Sequence, residues 1–409
     1  MPRSVSLLLN LGHALDHLFL LIFATAVGAI ANEFGMLRWE DLMPYATGAF
    51  FMFGFGSFPA GRLGDLWGRR RMMLVFFFGM GASACLVAQA RSALELAIAL
   101  SLMGAFSAIY HPVGIPMLVR HATRPGTTIG INGLAGNLGI ALAAVSTGFL
   151  VQAFGWRVAF VVPGVACMLV GVAFALLAPR EAQAPARQAA ASRHAPRAAV
   201  ARVLLIMGIT ATTGGLLFNF TTNGNAQLMA QRLDGIVSDP SRLGLLLALV
   251  YAIASLAQLV VGYLIDRVAM KPLFMCIAGM QVLLFALAAQ AQGWAWYALT
   301  LGCMVFVFAA IPFSDAIMVR YVDDAMRSRV SGARLAVSFS IGSLAVWLLG
   351  PVVKVAGFTL LLTGLAVLAA LTFLVLIGLP DEAALDNRST FRAEKSLAKA
   401  CRAKSSRSA

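Results

Sequence analysis

Long apolar runs alternate along the chain with short polar segments, and each run is about as long as a bilayer crossing. A helix needs about 20 mainly apolar residues to cross the hydrocarbon core. Lipid also requires backbone groups to be hydrogen-bonded internally, and barrel strands would alternate over about ten residues. The pattern therefore predicts an all-α membrane protein. Its twelve predicted spans cover residues 5–30, 42–60, 72–90, 94–119, 128–152, 157–178, 203–222, 243–264, 272–290, 294–318, 331–353 and 357–379.

The composition supports a membrane protein. Of 409 residues, 60% are hydrophobic and only 12% are charged, whereas an average soluble domain has about 25% charged residues. No small-residue cleavage site follows the first apolar run at signal-peptide distance, so we expect that run to be retained as a span. The five cysteines are scattered without disulfide or zinc-site spacing, and we interpret them as packing residues.

Positive charge is distributed unevenly between the two sets of loops. Only six of the 31 Lys and Arg residues fall on one side of the predicted topology. Because positively charged loops stay in the cytoplasm, we predict a multi-pass protein of a bacterial-type inner (plasma) membrane with both termini cytoplasmic. We interpret the net charge of +14 as the charge of solvated loops and of the tail, and we predict no nucleic-acid partner. The six residues on the other side are Arg38, Arg91, Arg157, Arg232, Arg242 and Lys354.

A polar, proline-containing segment divides the spans six and six. The predicted domains are an N-terminal six-helix bundle (1–178), a cytoplasmic linker (179–202), a C-terminal six-helix bundle (203–379) and a basic cytoplasmic tail (380–409). Two halves with equal numbers of spans are typical of transporters built from internal repeats.

Two short motifs recur in equivalent loops of the two bundles. Gly61-Arg-Leu-Gly-Asp65 matches Gly262-Tyr-Leu-Ile-Asp266 at an offset of 201 residues. Pro112, followed by Met-Leu-Val-Arg120, matches Pro312, followed by Ile-Met-Val-Arg320, at an offset of 200. The repeats predict two pseudo-symmetric halves that arose by duplication.

The first motif belongs to a longer segment, Gly61-Arg-Leu-Gly-Asp65-Leu-Trp-Gly68-Arg69-Arg70-Arg71. It resembles the signature between helices two and three of the major facilitator superfamily (MFS). The resemblance implies the MFS fold and a cytoplasmic gating network. Leu66 replaces the family's usual basic residue, which implies a weaker network. The implied gating residues are Gly61, Asp65, Gly68, Arg69 and Arg70, with Gly262 and Asp266 in the second copy.

A looser resemblance concerns the first and fourth spans. Gly12-His13 with Asp16, and Tyr110-His111-Pro112, are similar to the fosmidomycin-resistance branch and related facilitators. The Arg and Pro patterns of standard drug antiporters are missing from helices four and five.

Ionisable residues inside the spans are few, and burying each costs about 2.5 to 3.5 kcal/mol at a helix centre by some estimates. His13, Asp16 and His17 stand at i, i+3 and i+4, on one helix face. The resemblance implies that helices one, four, seven and ten line a central cavity, and the polar residues fall on these helices. The predicted cavity residues are Asn10, His13, Asp16, His17, Tyr110, His111, Asn219 and Asp315.

We interpret Asp16, between two histidines, as a proton carrier. Burial favours the neutral form of a carboxylic acid, whereas a neighbouring imidazolium favours the carboxylate. No Lys or Arg lies deep in a lining helix, which favours neutral, amphipathic or cationic cargo. The sequence thus predicts a monomeric, proton-coupled secondary transporter of a small organic solute, without a cofactor. The resemblance favours export.

Three alternatives remain open. His13, Asp16, His17 and His111 would also suit a transition-metal transporter, and a non-transporting scaffold or sensor would have the same hydropathy. A histidine-box membrane enzyme would need more histidines, so we predict no enzymatic activity. The buried polar residues would also serve a purely structural role, and His111 would then bond to carbonyl groups freed by Pro112. The chain lacks G-x-x-x-x-G-K-[ST], which argues against ATP-driven pumping.

Overall fold

A computed structural model describes residues 2–120, 122, 125–179, 197–265, 267–321 and 324–380. Side chains are described throughout these ranges except at 125–126, 197–201, 314–315, 318–333 and 335. Every regular element within the described residues is helical.

The N-terminal half contains eight α-helices. Two 3₁₀ turns, Trp39–Asp41 and Met43–Ala46, lead into the second span, and a π-helical turn, Tyr110–Gly114, interrupts the fourth. The helices are α1 (Arg3–Glu33), α2 (Thr47–Phe55), α3 (Ser57–Trp67), α4 (Arg69–Val87), α5 (Ala93–Ser107), α6 (Ile115–Val119), α7 (Pro125–Phe154) and α8 (Trp156–Leu177).

The C-terminal half contains longer, less interrupted helices. They are α9 (Arg197–Arg232), α10 (Pro240–Ile265), α11 (Met270–Gln290), α12 (Gly293–Tyr321) and α13 (Asp324–Ile377). The last of these holds one non-helical residue, Gly357.

Helices cover every predicted span, but they divide the chain differently. Within the described residues, ten helices are long and apolar enough to cross a membrane. The predicted second span is shared between α2 and α3, of 9 and 11 residues, so neither qualifies alone. The predicted eleventh and twelfth spans run together as α13, in which Gly357 has a φ of 71°. Hydropathy therefore located the apolar segments correctly and did not foresee these two departures.

Glycine permits a reversal of chain direction at two positions, one between α3 and α4 and one within α13. Gly68, with a φ of 92°, ends α3 and begins α4 without an intervening loop. Gly357 has the same left-handed sign of φ. An L-residue with a side chain is strained there, so these positions require glycine.

The helices connect two opposite ends of the bundle. We define the linker face as the end where Arg70 donates hydrogen bonds to the carbonyl groups of Ala175 and Ala178. The distal face is the opposite end, where Trp156 donates to Glu33 at 2.7 Å. The start of α4 thus meets the end of α8 at the linker face, and the end of α1 meets the start of α8 at the distal face. This arrangement agrees with the alternating topology predicted from the sequence.

The helix pairs that join the halves include α7 with α10 and α2 with α13. Gly148 and Gly244 let α7 and α10 approach closely, since a Cβ built on Gly148 would lie 2.7 Å from the carbonyl oxygen of Pro240. At the distal face the Gln152 amide donates to Asp239 at 2.8 Å, and Lys354 forms an ion pair with Asp41. These contacts close the distal face between the halves.

Large apolar side chains also lie on the outside of the bundle. Leu169 and Leu176 on α8 are 64% and 79% exposed, and Val355 is 88% exposed. Extended apolar surfaces are uncommon on soluble monomers. Here they suit contact with lipid tails.

Candidate functional site

The site is a group of four ionisable side chains from α1 and the π-helical turn, which we call the histidine cluster: His13, Asp16, His17 and His111. The ring centroid of His13 lies 4.8 Å from that of His17 and 5.1 Å from that of His111. Asp16 Oδ2 lies 3.8 Å from His111 Nε2. Asp16 is fully buried, and His13 is 5% exposed. The predicted i, i+3, i+4 face thus meets the fourth span inside the protein.

The π-helical turn positions His111 and its neighbour. Pro112 lacks a backbone N–H and cannot continue a regular α-helical ladder, and π turns inside α-helices are frequent at functional sites. Tyr110, wholly buried, stacks on the ring of His13 with 4.7 Å between centroids. Gly136 of α7 also lies against the His13 ring, because a Cβ built there would be 2.7 Å from it.

A hydrogen-bonded network fixes this region from α7. The Asn132 amide donates to Asn10 Oδ1 at 2.9 Å and to the Tyr110 hydroxyl at 2.7 Å. The Tyr110 hydroxyl donates in turn to the carbonyl of Leu9 at 2.7 Å. Three helical segments that are distant in sequence are thereby tied together beside the cluster.

His13 has a defined tautomer. Its Nδ1 lies 2.7 Å from the backbone carbonyl oxygen of Asn132. Because a carbonyl oxygen only accepts, Nδ1 carries the hydrogen and donates it, and the neutral ring leaves a lone pair on Nε2. Asp16 is held similarly, since the Ser107 hydroxyl donates to its Oδ1.

Four buried polar atoms of the cluster have no hydrogen-bond partner within the described part of the chain. They are the Nε2 atoms of His13, His17 and His111 and the Oδ2 atom of Asp16. The three imidazoles offer ligand atoms within 4.8 Å of one another. Buried polar atoms usually have a partner, so this concentration distinguishes the cluster from an ordinary buried network.

The second half of the protein closes over the cluster. Phe53 of α2 and Phe339 of α13 contact each other, with centroids 4.6 Å apart, and both lie against His111. Arg334 of α13 is within electrostatic reach of His111. The cluster is therefore close to the boundary between the halves.

One predicted cavity residue, Asn219, makes its described contacts away from the histidine cluster. Asn219 is buried on α9, where its amide donates to the carbonyl of Gly215 at 2.9 Å and contacts Gly342 of α13. Asp315 lies on α12, but its side chain is outside the described residues. The other six residues, Asn10, His13, Asp16, His17, Tyr110 and His111, are brought together.

The predicted gating residues lie at the linker face. Arg69 donates to the carbonyl of Pro116 at 3.1 Å, Arg70 bonds to the end of α8, and Asp65 is exposed. Gly61 and the neighbouring Gly64 lie against Pro112 and Val113, so α3 packs on the π-helical turn. In the second copy, a Cβ on Gly262 would meet nothing within 4 Å, and Asp266 lies outside the described residues.

Sequence reasoning missed several residues that contact the cluster or its network, among them Ser107, Asn132 and Phe339. Asn132 had a signal, because it is a strongly polar residue in an apolar span. Ser107 and Phe339 had none, since serine and phenylalanine are common in membrane helices.

Comparison with known proteins agrees with this architecture. A sequence model described as the Major Facilitator Superfamily matches residues 9–234, more than half of the chain. The apolar helices and the paired halves agree with a multi-pass membrane protein of this superfamily. The chain belongs to the Major Facilitator Superfamily.

A curated relative is the probable actinorhodin transporter of Streptomyces coelicolor (strain ATCC BAA-471 / A3(2) / M145). It is 32% identical over 181 residues, or 42% of this chain. The chain spans only 30% of that relative's length.

Solved structures with the same fold include two crystal structures of a bacterial homologue of the human lysosomal transporter Spinster. Both are inward-facing, one unoccupied and one occupied, with TM-scores of 0.69 and 0.70. Sequence identity is 14% and 15%, and the matches cover 92% of this chain and 94% of each homologue. The likeness confirms the predicted fold. The similarity to the fosmidomycin-resistance branch stays a prediction.

Proposed function

We propose that the protein is a proton-coupled transporter of a small organic solute and that Asp16 is its proton-binding group. The observation that carries the proposal is the position of Asp16. Its carboxyl group is fully buried on α1, with one oxygen bound by Ser107 and the other facing His111. A carboxyl group in such a place is neutralised by a proton or a cation rather than left as a bare charge.

The three imidazoles give the proton more than one neighbouring acceptor. A proton taken up by Asp16 neutralises the only acid of the cluster, and the Nε2 atoms of the histidines provide exchange partners. Because Phe53 and Phe339 pack over His111 from both halves, a change in the charge of the cluster acts where the halves meet. Protonation then biases the exchange between states.

Both halves are in contact at the distal face, which in alternating access corresponds to exposure of the site toward the linker face. We place the linker face in the cytoplasm of a bacterial-type inner membrane, from the excess of Lys and Arg there. On this assignment the structure is an inward-facing or occluded state of a monomer, with gating at the Gly61 to Arg70 segment.

For the cargo, two observations support a small organic solute. The curated relative is named for the transport of actinorhodin, and the polar groups of Asn219 and Asn223 on α9 are uncharged hydrogen-bonding groups in the second half. The resemblance of the first and fourth spans to the fosmidomycin-resistance branch favours export as the direction.

Infrared difference spectroscopy on purified protein tests the proton-binding group without knowledge of the cargo. Wild-type protein in buffer containing a chelator is expected to show a carboxylic-acid band that changes with pH, and Asp16→Asn is expected to lack it. Asp234→Asn, at the exposed distal end of α9, is the control. A band that persists unchanged in Asp16→Asn would contradict the assignment.

The cargo itself is accessible to a thermal-shift screen of metabolites and antibiotics repeated across pH. The solute that stabilises the protein most is then the transport probe. We expect stabilisation by an uncharged or cationic amphipathic compound. Stabilisation confined to dianionic compounds would contradict the proposed substrate class.

A further inference from the structure

We propose that the histidine cluster binds one divalent transition-metal ion of the Zn²⁺, Co²⁺ or Ni²⁺ class, with His13, His17 and His111 as imidazole ligands and Asp16 as the carboxylate ligand. This inference goes beyond proton coupling, since it assigns a ligand to the same site and holds whether or not Asp16 carries protons during transport.

The spacing of the ligand atoms suits a single ion. In a tetrahedral zinc site with Zn–N distances of about 2.0 to 2.1 Å, neighbouring ligand atoms are about 3.3 Å apart. The three imidazoles offer atoms within 4.8 Å of one another, and Asp16 Oδ2 is 3.8 Å from His111 Nε2. Since neighbouring ligand atoms of one ion are about 3.3 Å apart, each imidazole would move by about 1 Å to bind a shared ion.

The orientation of the donors supports an ion rather than direct bonds among the histidines. The Nε2 atoms of His13, His17 and His111 and Oδ2 of Asp16 are buried and without a hydrogen-bond partner in the described part of the chain. Neutral imidazoles that present lone pairs to one another do not bond. A cation among them satisfies all four atoms at once.

The surroundings of the cluster are those of a metal ligand set. A metal-bound histidine usually donates its other ring N–H to a carbonyl or carboxylate, which fixes the tautomer. His13 does so, because its Nδ1–H donates to the Asn132 carbonyl at 2.7 Å. Ser107 holds one oxygen of Asp16 and leaves the other toward the cluster. Both ligands are thereby pre-oriented.

The donor set also indicates which ions fit. Imidazole ligands suit zinc, nickel, copper and iron, whereas magnesium and calcium prefer sets made only of oxygen ligands. A single carboxylate offsets half of the charge of a divalent ion, and Arg334 lies within electrostatic reach of His111 and opposes a cation. The ion is therefore held less tightly than in a closed structural site, which suits a group that changes its environment during alternating access.

Isothermal titration calorimetry with ZnCl₂ tests the proposal on the full-length protein in lipid nanodiscs, purified without a polyhistidine tag. We expect saturable binding of one ion per chain. His17→Gln and His111→Gln, which keep the side-chain volume and polarity, should each weaken binding at least tenfold, as is common for losses around metal sites. His194→Gln removes an imidazole from the linker and is expected to bind as wild type does.

Co²⁺ absorption spectra provide a second readout that does not depend on affinity. Four-coordinate binding by nitrogen and oxygen ligands is expected to give visible bands in wild type that are lost in His13→Gln. Each variant is first shown to unfold thermally like wild type, and at least one of the three is expected to pass because His17 and His111 are only partly buried.

The proposal is overturned if wild type shows no saturable Zn²⁺ binding, if Mg²⁺ binds equally well, or if the cluster variants bind Zn²⁺ like His194→Gln. Its failure differs from failure of the proposed function, because proton binding by Asp16 is measured with a chelator present.

Discussion

Ser107 and Asp16 are joined by a hydrogen bond across the interface between α5 and α1, with the Ser107 hydroxyl donating to Oδ1 of the carboxyl group. The two residues are 91 positions apart in sequence. This bond directs the second oxygen of Asp16 toward His111, and so it decides how the buried acid faces the histidine cluster.

Replacing Ser107 with Ala should impair transport driven by a pH gradient. A hydrogen bond to a charged group contributes about 1.5 to 3 kcal/mol, so we expect at least an approximately tenfold loss of rate in proteoliposomes with the screened solute. Ser107→Thr retains the hydroxyl and should keep most of the wild-type transport rate. Ser101→Ala removes a hydroxyl from the same helix that bonds only to its own backbone, and it is the control. Equal rates in Ser107→Ala and Ser101→Ala would contradict a role for the bond.

Tyr110→Phe should destabilise the protein. The substitution leaves one buried N–H of Asn132 without its acceptor, at a cost of about 1 to 3 kcal/mol, and it removes the second hydrogen bond of the Leu9 carbonyl. Tyr297→Phe removes a hydroxyl that donates to the Leu246 carbonyl from a partly buried position, and the loss should be smaller. Thermal unfolding in the same detergent measures both. A Tm for Tyr110→Phe at or above that of Tyr297→Phe would refute the expected order.

Gly139→Ala should separate α1 from α7. A Cβ at this position would lie 2.0 Å from the backbone carbonyl oxygen of Ala14, which has no room to move aside. Overpacking of this kind costs about 1 to 3 kcal/mol or more, and here it also displaces the neighbouring His13. Gly130→Ala on the same helix meets nothing within 4 Å and should be tolerated. Thermal stability measures the overpacking, and Zn²⁺ binding measures the displacement of His13. Unchanged values of both for Gly139→Ala would contradict the close spacing of α1 and α7.

Closure of the distal face should not depend on pH in the physiological range. Hydrogen bonds from the Ser241 hydroxyl, the Arg242 backbone and the Gln152 amide lower the pKa of Asp239 to about 2. A carboxyl group with a lowered pKa contributes its full stabilisation above the usual pKa near 3.9, and this stabilisation is lost only as pH falls through the lowered pKa. The contact with Gln152 is therefore complete from pH 5 to 8.

Distances between spin labels at Gln89 and Asp234, exposed on the distal ends of opposite halves, measure this closure. In a cysteine-free background we expect the same distribution at pH 5 and pH 8 and a broader one in Asp239→Asn. A distribution that widens between pH 8 and pH 5 in the parent protein, with no further change in Asp239→Asn, would assign the pH response to another group.

The sequence predicted the helical fold well because hydropathy depends on length and composition, which lipid constrains strongly. It did not predict that α2 and α3 would divide one span or that α13 would run through two. The first departure falls at Gly56, which has an ordinary φ of −63°, and the second at Gly357, which has a φ of 71°. A glycine within an apolar run carries no indication of its φ angle.

Part of the site was also predictable. The spacing of His13, Asp16 and His17 placed them on one face of α1, and the convergence with His111 followed from the family resemblance. The role of Asn132 was not foreseeable, because its contacts join segments 22 to 122 residues apart. The π-helical turn shifts the direction of every later side chain on the fourth span, and hydropathy does not detect such a shift.

Transport driven by an imposed pH gradient, compared between wild type and Asp16→Asn in proteoliposomes, tests the central claim most directly. Asp234→Asn is the matched control, and solute exchange without a gradient confirms that each protein is active. We predict that Asp16→Asn exchanges the screened solute but no longer responds to the gradient, while the control behaves as wild type. Gradient-driven transport by Asp16→Asn at the wild-type rate would contradict the account.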